Sequence, residues 1–364
     1  MTRDLRADAR RRFAEAALAP DAAIEPASAD ASTRSYWRVR SPGTPARILM
    51  DAPHDRAELD TWLDVGARLR AAGLHAPDVL AVDREQGFVL MEDLGMRTYL
   101  PELDAHSADR LYGDALDALL RMQTQVDTNG LPAFDRGRLV AEMELLPEWF
   151  LQRHLGYVPT CEEWDVVEAA FTFLAHAALE QPRTFMHRDY HSRNLLVCDE
   201  ALRGDAALPN PGVVAPGLSS AGIVAPGLLS PGIVDFQGAV AGPIAYDLAS
   251  LLRDCYIEWP HERIDGWVEA YRLRLRHAHL VDVDAVRFRR WFDLVGLQRH
   301  VKVLGIFCRL RYRDGKAQYL GDLPLVWRYV TQVAQGYPEL AAFVALLERA
   351  LGERDITQAR ESAA

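Results

Sequence analysis

The sequence predicts an α+β chain of two lobes, a small αβ lobe over residues 1–95 and a larger, mostly helical lobe over 96–350, with a tail at 351–364. Three observations carry this. Short strand-like runs cluster before Gly95, and apolar residues recur at helical spacing after it. Between the helical stretches lies His187-x-Asp189 with Asn194 close behind, and a later apolar run delivers Asp235.

The opening run to Leu18 is Arg-rich, carries Asp8 and Glu15, and reads as a solvated helix. Strand-like pieces at Tyr36–Val39 and Arg47–Met50 precede an amphipathic helix from about Asp55 to Ala72. Its Leu59, Trp62, Leu63 and Leu69 share a face, and Gly73 ends it. Val79–Val82 and Gly87–Met91 read as paired strands across Asp83-Arg-Glu-Gln. Met91-Glu-Asp-Leu-Gly95 then reads as a hinge at 92–95, or as a plain loop with a glycine terminator. Beyond it, Leu111, Ala115, Leu116, Leu119 and Leu120 form one helical stripe, and Val166–Leu179, Leu248–Tyr256 and Trp291–Arg313 continue the pattern. The only strands expected in this lobe are short ones around the loop 187–194 and the segment 232–237. Trp149, Trp164, Trp259, Trp267, Trp291 and Trp327 read as core or groove lining.

At 364 residues with 49% hydrophobic and 26% charged content, the chain has the makeup of a soluble globular enzyme. A net charge of −11 argues against a general nucleic-acid binder. Four well-separated cysteines suit a reducing cytosol and offer no zinc spacing, and the N-terminus lacks a signal-peptide apolar core. Residues 200–231 form a repeat insertion: Pro211-Gly-Val-Val-Ala-Pro-Gly-Leu-Ser-Ser220 recurs as Ala221-Gly-Ile-Val-Ala-Pro-Gly-Leu-Leu-Ser230, and Pro231-Gly-Ile-Val-Asp235 starts a third copy. The stretch 206–234 holds no charge, but its Pro and Gly residues cannot sustain a membrane-spanning helix. It reads as an extended or disordered tongue, with a partner-docking strand pair as the alternative.

The loop residues are those that kinase-type phosphoryl transfer needs. Asp189 would receive the acceptor's hydroxyl proton, while Asn194 and Asp235 would hold Mg²⁺ against the phosphates of ATP. Residue 191 is His rather than the Lys usual in protein kinases, and eleven residues between Asp235 and Asp247 leave no room for an activation loop. A small-molecule acceptor follows. The phosphate-gripping lysine is missing: the two lysines are Lys302 and Lys316, and Met50 sits near the expected strand position. Arg34 and Arg38, in the turn that also holds Ser32, are the candidate replacements, with solvated strand arginines as the other reading. The hinge residues Glu92 and Leu94 would offer their backbone to the adenine.

The order small αβ lobe, hinge, helical lobe is that of a bilobal protein-kinase-like fold. His187-Arg-Asp-Tyr-His-Ser-Arg-Asn194, Asp235-Phe-Gln and Gly242-Pro-Ile-Ala-Tyr-Asp-Leu-Ala249 resemble the aminoglycoside phosphotransferase and choline kinase superfamily. Asp30-Ala-Ser-Thr-Arg34, Leu49-Met-Asp-Ala-Pro53, Glu92-Asp-Leu-Gly95, Leu252-Arg-Asp254 and Leu297-Gln-Arg-His-Val-Lys-Val-Leu-Gly-Ile-Phe307 narrow the resemblance. They are similar to the anomeric sugar kinases of bacterial cell-wall recycling, which phosphorylate N-acetylmuramate and N-acetylglucosamine at C1. The resemblance covers most of residues 5–345 and implies a cytoplasmic, monomeric enzyme using ATP and Mg²⁺ on an amino sugar, with no nucleic-acid or membrane partner. It also implies that Asp247 fixes the loop backbone, with His187 as further support. Gly238 departs from the pattern, since many relatives carry a second acid there. His191 and Arg193 would touch transferring oxygens or brace the loop. Arg299 and Lys302, with Arg309, Arg311 and Arg313 after them, form a basic cluster suited to an anionic or neutral sugar, or else a solvated basic face. The competing readings are a kinase for a cationic metabolite such as an aminoglycoside or choline, and a nucleotide-binding pseudokinase.

Overall fold

Alternation of apolar side chains along the N-terminal strands gives one sheet face its core. The computed structural model describes residues 6–18, 20–28, 34–53, 56–198 and 230–360. The repeat insertion, apart from its last residues, and Ser32 lie outside the described residues. In chain order the first elements are α1 (Ala7–Ala17), β1 (Ala23–Ser28), β2 (Ser35–Arg40), β3 (Arg47–Asp51), α2 (Arg56–Ala71), β4 (Val79–Asp83) and β5 (Phe88–Glu92). Next come α3 (Tyr99–Glu102), α4 (Ala108–Gln125), α5 (Arg136–Met143), a π-helical stretch (Leu146–Leu155) and α6 (Cys161–Leu179). Then follow β6 (Arg183–Met186), β7 (Leu195–Leu196), β8 (Gly232–Ile233), β9 (Val240–Pro243), α7 (Tyr246–Leu252) and α8 (His261–His277). The chain ends with α9 (Ala285–Tyr312), α10 (Leu323–Gln335) and α11 (Ala341–Leu351). Two compact units result, Met1–Val126 with Arg193–Gln237, and Asp127–Ser192 with Gly238–Ala364. The first therefore runs past residue 95 through α4 and takes the chain back at 193–237.

In the first unit, five antiparallel strands lie in the order β1-β2-β3-β5-β4. Val39, Leu49, Phe88 and Leu90 point to one face, where Ala14 of α1 joins them. The sequence reads α1 as solvated, and here the structure differs. Phe13 stacks on Phe88 at 5.4 Å, and the Arg10 guanidinium lies 3.9 Å from the Trp37 ring centre. Asp51, buried at the end of β3, pairs with Arg6 at 2.8 Å and Arg10 at 2.9 Å. The stripe Arg6, Arg10, Ala14 repeats every helical turn, so the arginines that suggested a solvated face are drawn inward by one buried carboxylate.

Helix α2 buries Leu59, Trp62, Val65 and Leu69. Its Trp62 stacks on Phe236 at 5.2 Å, and a Cβ at Gly66 would come within 3.2 Å of the same ring, so a small residue lets the ring settle on the helix. A two-stranded ribbon, β7 with β8, completes the unit.

The second unit is helical around α9, whose 28 residues span roughly 42 Å at the usual rise. Leu294, Leu297, Val301, Leu304 and Cys308 recur at helical spacing and pack with Phe150, Leu174, Leu323, Val330 and Phe343. Gly305 lets α9 close on the π-helical stretch, since a Cβ there would lie 2.3 Å from the Leu145 carbonyl. Thr160 and Glu163 form a capping box that starts α6. The one β element in this unit among the described residues is the ribbon β6–β9. No described helix is long and apolar enough to cross a membrane.

Replacing Asp51 with Ala removes the carboxylate shared by Arg6 and Arg10. Stripping one partner from a buried pair typically costs about 3–5 kcal/mol, so the urea midpoint should fall clearly. A change of less than about 0.5 kcal/mol, ordinary for a surface substitution, would show that α1 is held by its apolar contacts alone.

Candidate active site

The strand β6 carries the chain into the loop that bears Asp189. His187 is fully buried, and its backbone N–H donates to Asp247 Oδ2 at 2.6 Å. The Arg188 N–H donates to the other oxygen, Oδ1, at 3.0 Å. Farther along the loop, Ser192 donates its N–H and Oγ–H to Asp254 Oδ2 at 2.9 and 2.5 Å. Asp254 Oδ1 takes the Tyr256 N–H at 3.2 Å. Two buried carboxylates, one in the first turn of α7 and one just past its end, thus grip the loop on either side of Asp189. Such charge-assisted bonds are stronger than neutral ones. They hold Arg188 in the left-handed region at φ 78°, a conformation that costs of order 1–3 kcal/mol for such a residue. The Arg188 side chain pairs with Glu142 of α5 and donates to the Gly238 carbonyl at 3.4 Å.

The charges around Asp189 decide its state. Burial alone pushes its carboxyl up, but Lys302, His191, Arg299 and Arg188 together hold it below the usual carboxylate range. It is half-buried and ionised at neutral pH, as a proton acceptor must be. Burial and the charge of Asp189 itself push Asp247 up to about 7, against the pull of the two N–H groups it accepts. Lys302 lies 3.4 Å from Glu142 and 3.5 Å from the Tyr246 hydroxyl. Burial would lower its ammonium, but Tyr246, Glu142 and Asp189 keep it above its ordinary value. Arg299 donates to the Cys255 sulfur at 3.3 Å. The basic run on α9 is therefore not one solvated face: Arg299 and Lys302 are buried in this network, while the exposed Arg313 pairs with Asp314. His191 meets the Tyr256 ring edge-on at 5.6 Å.

The boundary between the two units falls inside this loop, after Ser192. In the first unit, Arg193 is exposed, and the Asn194 carbonyl accepts the Val234 N–H at 3.2 Å, extending the β7–β8 pairing toward Asp235. The exposed Asp235 takes Asn194 Nδ2 at 3.3 Å on Oδ2 and Gln237 Nε2 at 2.7 Å on Oδ1. Its φ of 62° is one that Asp tolerates better than most residues. Among the described residues, no cluster of three or more His, Cys, Asp or Glu could hold a metal by itself. Asn194 and Asp235 do fit Mg²⁺, which takes oxygen ligands and is commonly held by one or two protein groups plus phosphates.

The nucleotide-side candidates separate clearly. Arg38 donates to both oxygens of Asp93, at 2.6 and 3.1 Å, and lies 3.1 Å from the Met96 sulfur. Arg34 pairs with Glu58 of α2. Glu92 meets His75 at 3.1 Å and accepts the Asp78 N–H at 3.2 Å. Leu94 packs with Leu196 and Cys198. Met50 is fully buried on β3. The sequence reading misses Glu142 altogether, since nothing local distinguishes it from other helix acids. Asp254 enters that reading only as part of a wider pattern, although its place about two helical turns after Asp247 is a usable signal.

The fold is that of the kinase-type small-molecule phosphotransferases. An ADP-bound aminoglycoside phosphotransferase matches with a TM-score of 0.56 at 13% identity, covering 90% of this chain and 99% of that one. Choline kinase LicA from Streptococcus pneumoniae matches with a TM-score of 0.59 at 12% identity, covering 90% and 98%. The chain belongs to the phosphotransferase enzyme family, whose model matches residues 23–204 and 227–289. Residues 208–235 also match a model of six GLTT repeats. Among curated relatives, an N-acetylmuramate/N-acetylglucosamine kinase of Pseudomonas aeruginosa is 39% identical over 90% of this chain and 88% of its own length. Kinases of the same name from Pseudomonas putida and Neisseria meningitidis are 37% and 35% identical over 88% and 91% of this chain, and over 86% and 91% of their own lengths.

Because Asp189 is held below its ordinary range, it stays ionised as the pH falls through that range. The acid limb of kcat/KM should therefore lie below the usual carboxylate value of about 3.9. Lys302→Met should move that limb upward, and Lys302→Arg should restore it. A limb that stays in place in Lys302→Met would separate Lys302 from Asp189.

Proposed function

We propose that the protein is an ATP-dependent sugar 1-kinase that phosphorylates the anomeric hydroxyl of N-acetylmuramate, N-acetylglucosamine or both in peptidoglycan recycling. The observation that carries the chemistry is Asp189, ionised amid Lys302, Arg299, His191 and Arg188 on a loop gripped by two buried carboxylates. The acceptor is supported by relatives bearing that name at 35–39% identity over about nine-tenths of each chain. A cationic surround also suits a neutral or carboxylate-bearing sugar better than a polycation.

In this reading, the C1 hydroxyl oxygen attacks the γ-phosphorus of ATP, its proton passes to Asp189, and ADP leaves with the electrons of the broken P–O bond. Asn194 and Asp235 would hold Mg²⁺, which neutralises phosphate charge when bound. Asn194 would offer its amide oxygen and Asp235 its carboxylate to the ion. Little covalent help is needed, so the protein's contribution is positioning and charge. The backbone around Glu92 and Leu94 would meet the adenine, while the Glu92 side chain pairs with His75 and that of Leu94 packs with Leu196 and Cys198. His191 and Arg193 would meet the transferring oxygens. The small-molecule acceptor and ATP are the only partners in this reading, which places the enzyme in the cytoplasm as a monomer.

Phosphorus NMR of the product should show a sugar phosphate whose signal couples to the anomeric proton. Turnover of an aminocyclitol or choline, with none of either amino sugar, would overturn the acceptor. Asp189→Asn should lower kcat by about 10²- to 10⁴-fold and leave ATP affinity near wild type. Unchanged turnover would remove Asp189 from its role.

A further inference from the structure

Kinase-type sites grip the α- and β-phosphates with a lysine on the third strand, braced by a glutamate of the following helix. Here β3 carries the buried Met50 at that place, and no lysine precedes Lys302. Glu58, in the first turn of the helix after β3, nevertheless pairs with a cation: Arg34, at the entry to β2. We propose that Arg34, braced by Glu58, is the cation that holds the nucleotide's phosphates in place of the missing lysine.

Strand register supports this. Ser35 lies opposite Asp51 and Tyr36 opposite Met50, which sets Arg34 at the same end of the β2–β3 ladder as the vacated lysine position. The two candidate arginines also sit in different kinds of pair. Arg38 and Asp93 are each 9% exposed and share two hydrogen bonds, a closed pair that ties β2 to the hinge. Arg34 is 4% exposed but its partner Glu58 is 58% exposed, so this pair opens to solvent at its acidic end. A guanidinium fork matches phosphate oxygens in two-point contacts, a geometry lysine lacks.

Helix α2 connects this cation to the metal-binding segment. One turn beyond Glu58, Trp62 stacks on Phe236, the residue after Asp235, and Gly66 another turn on touches the same ring. One rigid helix thus positions both Arg34 and the chain that presents Asp235. Glu58 is accordingly a positioning residue.

The inference rests on the kinase reading above and is tested by titration calorimetry with ATP, ADP and adenosine. Arg34→Gln should weaken ATP and ADP by about 10- to 100-fold, the usual cost of losing a charged hydrogen-bond partner, and leave adenosine affinity unchanged. Glu58→Gln should weaken ATP less and again spare adenosine. Arg34→Lys should retain part of the phosphate affinity and, with the exposed Glu58 variant, carries the test if Arg34→Gln does not fold. Wild-type ATP affinity in Arg34→Gln, or a phosphate-specific loss in Arg38→Gln instead, would overturn the proposal. Phosphorus NMR of the wild-type product decides the acceptor independently of these affinities, so the two readings fail separately.

Discussion

Asp247 accepts the backbone N–H groups of His187 and Arg188, and Asp254 accepts that of Ser192, so two carboxylates grip the loop that bears Asp189, and the rest of the site follows from that grip. A loop backbone that makes no ladder hydrogen bonds needs other acceptors when it is buried. Two carboxylates on and just beyond α7 supply them, so the loop holds its shape without pairing to a strand along its length. The strained Arg188 backbone persists because its neighbours over-determine it.

The grip has an electrostatic consequence. Asp189 and Asp247 share one buried region, where burial and the charge of Asp189 favour the protonated form of Asp247. The cations Lys302, Arg299 and Arg188 settle which acid stays charged. They hold Asp189 below its ordinary range, whereas Asp247 is pushed up to about 7. One of the two lysines of the chain is spent here, beneath the catalytic loop, instead of on strand β3.

In the first unit, helix α2 has the organising part. Its Leu59, Trp62, Val65 and Leu69 are buried, its first turn carries the acid that pairs with Arg34, and its middle seats Phe236. Packing converts one amphipathic stripe into a device that sets two functional groups at fixed separation, because close-packed side chains transmit position with little slack. The N-terminal helix adds to this stability through Arg6 and Arg10 on Asp51, at the end of the strand that leads into α2.

The sequence by itself determined the element types, because helical and strand periodicities are local: the stripe Leu59, Trp62, Leu69 and the runs at 36–39, 47–50 and 87–91 stand where the structure has α2, β2, β3 and β5. It also determined which loop residues carry acid and amide groups, since Asp189 and Asn194 lie within one short segment. It left open what each charged side chain does. Arg34 and Arg38 look alike along the chain, but one meets the exposed Glu58 and the other the buried Asp93. Arg10 reads as solvated until Asp51 reaches it, and Glu142 is anonymous until it meets Arg188 and Lys302. A charge takes its role from its partner and its burial, and both are set by tertiary packing between segments far apart in the chain.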